Sequence, residues 1–161
     1  MWRIELVHPL VVHFPIALLI FGTVAWIVGR FAGSDSKLAY LVPAGRTALL
    51  VGTVFAWIAI YTGVLANREV ARTLCDPRVK HAHEDYAYLV SYLFSGALVV
   101  ELSTIFLQLK AHLKRGILVL VGVALLTGCG LLGYTSHKGG QLVYQQGAAV
   151  YQPSDRCVEF E

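Results

Sequence analysis

Four apolar stretches, Pro9–Gly29, Pro43–Leu65, Tyr86–Leu109 and Gly116–Ser136, dominate the chain, and each exceeds 20 residues. A helix rises about 1.5 Å per residue, so about 20 residues cross the roughly 30 Å hydrocarbon core of a bilayer. Composition decides between burial in a protein core and burial in lipid. Hydrophobic residues make up 57% and charged residues 14% of 161 positions, and mean hydropathy is +0.63, more apolar surface than one soluble domain of this size can hide. The expected fold is all-α, an integral membrane up-down four-helix bundle forming a single domain, with a short segment 137–161 after the last span. The first stretch lacks the basic n-region and A-x-A site of a cleaved signal peptide, so it reads as a span.

Basic residues give the expected orientation. The two short connections at one end carry Arg30, Lys37, Arg46, Lys110, Lys114 and Arg115 against Asp35 alone. At the other end seven basic residues are spread over longer segments and matched by eight acids. The dense basic loops belong inside by the positive-inside rule. Both termini are therefore expected outside the cytoplasm, in the periplasm or its equivalent. The lipid bilayer is the first expected partner, and nucleic acid is not one.

Each helix shows a face. Gly22, Ala25 and Gly29 line one side of the first helix, and Gly52, Ala56, Ala59 and Gly63 line one side of the second, small-residue stripes that allow close helix approach. Asp76 as cap and Pro77 at the first helical position start the third helix well before the bilayer. Along it, His83, Ala87, Val90, Phe94, Ala97 and Glu101 share a face. The fourth helix aligns Gly122, Leu126, Cys129, Gly133 and His137, and the Gly139-Gly140 pair is expected to end it. In the first helix, Pro15 deprives the carbonyl of Val11 of its usual donor.

Five of the six histidines gather at one end of such a bundle. His8 and His13 start the first helix, His81 and His83 start the third, and His137 ends the fourth, whereas His112 lies at the opposite end. Imidazole binds zinc, copper and haem iron. Zinc sites on helices use His pairs four residues apart or C-x-x-C, and the chain has neither. Copper recruits Met or Cys, and the only Met is the first residue. Haem b needs one or two axial histidines on facing helices with apolar walls. C-type attachment is excluded because C-x-x-C-H is absent. The expected axial pair is His13 with His83, then His8 and His137, with His81 an alternative to His83. Glu84 or Asp85 is the expected orienting partner.

The opening H-P-x-x-x-H-F-P, read from His8 to Pro15, and the closing G-G-x-L-V-Y-x-x-G-x-x-V, read from Gly139 to Val150, resemble a family of small bacterial four-helix membrane proteins classed as a domain of unknown function. The likeness spans nearly the whole chain. It implies links to Rieske or cytochrome-like partners and hence respiratory electron transfer, and it leaves His81 and His83 both open as the family's histidine before the third helix. The reading is a b-type cytochrome-like electron-transfer subunit with haem at the periplasmic side. No nucleophile constellation, P-loop or G-x-G-x-x-G marks an enzyme. The alternatives are a structural or copper- or zinc-binding subunit of a larger respiratory complex, and a small proton-coupled transporter.

The transporter reading turns on Glu101, the acid deepest in a span, expected to be a neutral carboxyl that handles protons. On that view Glu101→Gln keeps fold and cofactor. Cys75 and Cys157, both outside the cytoplasm, are expected to form a disulfide, with two unpaired thiols the alternative, and Cys129 is expected to stay a free thiol.

Overall fold

A computed structural model describes residues 3–72, 74 and 76–150. After a single 3-10 turn, Ile4–Leu6, come five helices: α1 (Val7–Val11), α2 (His13–Ala32), α3 (Leu41–Val70), α4 (Pro77–Phe106) and α5 (Ala111–Tyr144). The described residues include no strand. The 3-10 turn, α1 and α2 form one span of 29 residues, and the other three run for 30, 30 and 34 residues. All four are long and apolar enough to cross a membrane.

The division between α1 and α2 falls at Val12, where Pro15 supplies no N–H for the carbonyl of Val11. The helical path continues through Val12 N–H to His8 O at 3.1 Å and Ile16 N–H to Val12 O at 3.3 Å. At α4 the start signal acts as read: Asp76 accepts from the backbone N–H of Arg78 at 2.9 Å, with Pro77 in the first turn. The Arg78 guanidinium and backbone N–H hold this carboxyl below its ordinary range.

Helix ends differ from the apolar boundaries. α3 runs on to Val70, α4 begins at Pro77 and stops at Phe106, and α5 extends from Ala111 to Tyr144. Hydropathy locates the lipid-crossing part, whereas hydrogen bonding carries a helix into the polar boundary. Gly139 and Gly140 therefore do not end the last helix. Neither has a positive φ, and the left-handed glycine comes later, at Gly147 with φ 67°. Segment 137–161 thus begins as the last two turns of α5.

Residue pairs across α2 and α3 show an antiparallel seam. A Cβ on Gly29 would lie 2.7 Å from the backbone N of Val42, one on Gly22 2.9 Å from that of Leu49, and one on Gly52 3.0 Å from a Leu19 side-chain carbon. As one number falls the other rises. α4 packs on α5 in the same sense, with Phe94 against Gly128 at 2.7 Å from its missing Cβ. α2 and α4 run parallel across the bundle: His8 meets His83, and Trp26 meets Glu101.

Leu19, Trp26, Leu49, Val90, Phe94, Leu98, Leu125 and Leu132 form the core. Phe21, Phe31, Val99, Phe106 and Leu120 are among the apolar side chains left on the outside, as a lipid-facing surface requires. The small-residue faces of α2 and α3 point inward as read, since Gly22, Ala25, Gly29, Gly52, Ala56 and Ala59 are buried. On α5 the buried face is Val121, Leu125, Gly128, Leu132 and Thr135, one residue off the Gly122-to-His137 line. Side-chain volume explains the offset, because Phe94 of α4 needs the gap at Gly128.

Candidate functional site

His8, on α1, points at α3. Its Nδ1 lies 2.9 Å from the carbonyl of Ala59 and 3.3 Å from Thr62 Oγ1. His83, on α4, points at α5, with Nδ1 2.9 Å from the carbonyl of Thr135. A carbonyl only accepts, so each Nδ1 carries a proton and donates, and in the neutral form of each ring the lone pair is then on Nε2. That is how imidazole ligands are commonly oriented, by a carbonyl behind the ring. The two rings are 6.2 Å apart between centroids and nearly perpendicular at 83°.

Each ring also lies over a glycine. A Cβ on Gly63 would be 3.1 Å from His8 Cε1, and one on Gly139 would be 3.1 Å from His83 Cε1. Any larger residue would push the ring away. Between the helices at this end lies a cavity of ≈ 360 Å³, within the range of ligand sites. Pro15, Ile16, Ala56, Val90 and Leu132 supply apolar wall. Lys80, Glu84 and Asn67 add polar groups, and the Asn67 Oδ1 atom is buried without a hydrogen-bond partner.

The structure brings His8 and His83 together and leaves His13, His81 and His137 exposed. His8 and His13 are about 140° apart around a helix, so turning His8 into the bundle turns His13 out of it. Lys80 pairs loosely with Glu84 at 3.8 Å, so Glu84 serves that lysine. Among the described residues no group of three or more His, Cys, Asp or Glu side chains could hold a metal ion. A metal here must bring most of its own donors or accept two. Two imidazoles that bind one ion from opposite sides through bonds of about 2 Å have centroids about 6 Å apart. The observed separation of 6.2 Å lies in that range, and the glycine gaps are taken up by the two rings themselves.

At the other end Glu101 is 2% exposed and only five residues from the end of α4. Its Oε1 accepts from Arg46 Nη2 at 2.7 Å, Arg30 Nη2 at 3.1 Å and Trp26 Nε1 at 3.2 Å, and its Oε2 accepts from Arg46 Nε at 2.9 Å. Arg30 also sits over the Trp26 ring at 5.1 Å. The neutral carboxyl expected from sequence gives way to an ion pair joining α2, α3 and α4. Arg30 and Arg46, read as loop charges, belong to the helices, and their level with Glu101 in an up-down bundle was the available signal. Cys129 is a free, half-buried thiol. Cys75 and Cys157 lie outside the described residues.

A family model described as a predicted membrane protein, DUF2231, matches residues 5–152. No curated protein and no solved structure matches the chain. The family match covers almost every residue from the 3-10 turn to the end of the closing motif, so the chain belongs to the DUF2231 family of predicted membrane proteins.

Proposed function

We propose that this protein is a membrane b-type cytochrome-like electron-transfer subunit in which His8 and His83 would hold one haem b. The observation that carries the proposal is the pair of carbonyl-tethered imidazoles, 6.2 Å apart, in the apolar cavity at the histidine end. The haem supplies a one-electron iron couple. The chain orients the two rings through Ala59 and Thr135, excludes water with apolar walls, and clears space at Gly63 and Gly139. With both termini periplasmic in a bacterial inner membrane, the site serves a redox partner or a larger respiratory complex at the outer face. The same pair also suits a two-coordinate copper ion, which needs no third ligand.

The test is a reduced-minus-oxidised visible spectrum of purified protein with a pyridine haemochrome assay and metal analysis. His8→Ala and His83→Ala each remove or convert the haem signal, and His13→Ala leaves it intact. Colourless protein overturns the proposal. Stoichiometric copper without haem moves the assignment to the copper reading.

A further inference from the structure

The opposite end of the bundle carries a feature that electron transfer does not use. Arg46 spends two donors on Glu101, and Arg30 spends one of the five N–H groups of its guanidinium. Two guanidinium charges face one carboxylate, so the cluster holds a surplus positive charge. Arg30 and Arg46 side chains are 32% and 25% exposed, so this charge is only partly hydrated. It cannot leave, because Arg30 is held by Glu101 and by the Trp26 ring.

Beside Arg30 lies an open groove of ≈ 310 Å³ lined by Gly29, Arg30, Gly33, Ser34, Ala39 and Val42. Small residues make the room. Gly33, with φ 81°, caps α2 in a backbone conformation open to glycine. Arg30 is two residues from the end of α2, so the groove lies where a spanning helix leaves the hydrocarbon. Asp35, which accepts from Ser34 Oγ, and exposed Lys37 are on the same connection and offset each other.

We infer that this groove is a binding site for the phosphate of an anionic phospholipid headgroup, with the free donors of Arg30 as its recognition element. Basic pockets between spanning helices at the membrane boundary suit such headgroups. The shared chemistry is a phosphate oxyanion, and the place of the groove at the end of a membrane-spanning helix selects the lipid over a soluble ion. This inference is independent of the haem proposal.

Native mass spectrometry of the detergent-purified full chain tests it, with phosphatidylglycerol, phosphatidylcholine of the same acyl chains, or inorganic phosphate added. The wild type retains phosphatidylglycerol about five-fold more than phosphatidylcholine, the effect of one basic residue near an anionic surface. In Arg30→Gln the ratio falls to about one. Ser34→Leu, which keeps the arginine and fills the groove, lowers it likewise and serves if Arg30→Gln does not fold. Lys110→Gln, outside the groove, leaves the ratio unchanged. A preference that survives both groove variants overturns the inference, as does a phosphate adduct that forms with no lipid preference.

Discussion

At the histidine end, His8 and His83 are tethered through Nδ1 to neighbouring helices, and both line a cavity of ≈ 360 Å³. At the other end, both oxygens of Glu101 are bonded, and α2, α3 and α4 close directly around it. His83 and Glu101 lie on one face of the same helix, 18 residues apart, which is about 27 Å and close to the thickness of the hydrocarbon core. One helix therefore presents an incomplete polar site near one membrane boundary and a completed one near the other. On the function proposed above, the difference separates a group that holds a ligand from a group that holds the assembly together. Unsatisfied coordination with room beside it favours binding, and a carboxylate with both oxygens bonded favours stability.

Removing the completed site should do the most damage. Glu101→Ala leaves two partly buried guanidinium groups facing each other and should cost on the order of 3 kcal/mol, read as thermal unfolding of the helical signal in detergent. Glu101→Gln removes the charge but keeps the shape, and is expected to destabilise by about 2 kcal/mol, against the sequence-based expectation of an unchanged fold. If Glu101→Gln unfolds no more readily than His8→Ala, the contrast between the ends is wrong.

Next comes close packing. A Cβ on Gly45 would lie 2.5 Å from the backbone N of Trp26 and 2.7 Å from the carbonyl of Gly22. Backbone cannot swing aside, so Gly45→Ala should separate α2 from α3 at about 2 kcal/mol. Gly139→Ala meets only the edge of a ring that can tilt, so its effect should appear in the ligand spectrum and hardly in unfolding. A Gly139→Ala protein as unstable as Gly45→Ala would show that the histidine end is as tightly closed as the other.

His8→Ala and His83→Ala each delete one hydrogen bond to a carbonyl, so in ligand-free protein each should cost only about 1 kcal/mol while abolishing the proposed haem signal. The smallest effect belongs to the exposed cap. Asp76 has its carboxyl held down by Arg78, so its contribution is present above the unfolded value and disappears as pH falls through the lower folded value, below about 4. Asp76→Ala should lower stability slightly at pH 7 and make no difference in acid below the folded value, so that the acid-side dependence disappears.

Much of this architecture can be read along the chain. The four spans follow from apolar length, the start of α4 from Asp76 and Pro77, and the interruption at Val12 from Pro15. The face from His83 to Glu101 points inward, with Val90, Phe94, Ala97 and Glu101 buried. Helical phase also put His8 on the side of the Gly22 stripe and His13 opposite it. Choosing between them required knowing that α3 offers a carbonyl at Ala59 and a gap at Gly63. The glycines misled in a different way. Gly139-Gly140 looks like a helix stop because glycine is flexible, yet Gly139 serves there as a missing side chain under His83.

Sequence alone determined whatever depends on one helix at a time: how far it is apolar, where it starts, and which residues share a face. Those properties follow from backbone hydrogen bonding and transfer to lipid, which act on local composition. Tertiary structure alone decided which faces meet. Glu101 became an ion pair because Arg46 of α3 and Arg30 of α2 arrive at its level, and two of five clustered histidines came together because their rings turn into the bundle. Such encounters join residues 75 positions apart, His8 with His83 and Trp26 with Glu101 alike, and interlocking of side chains across helices sets them.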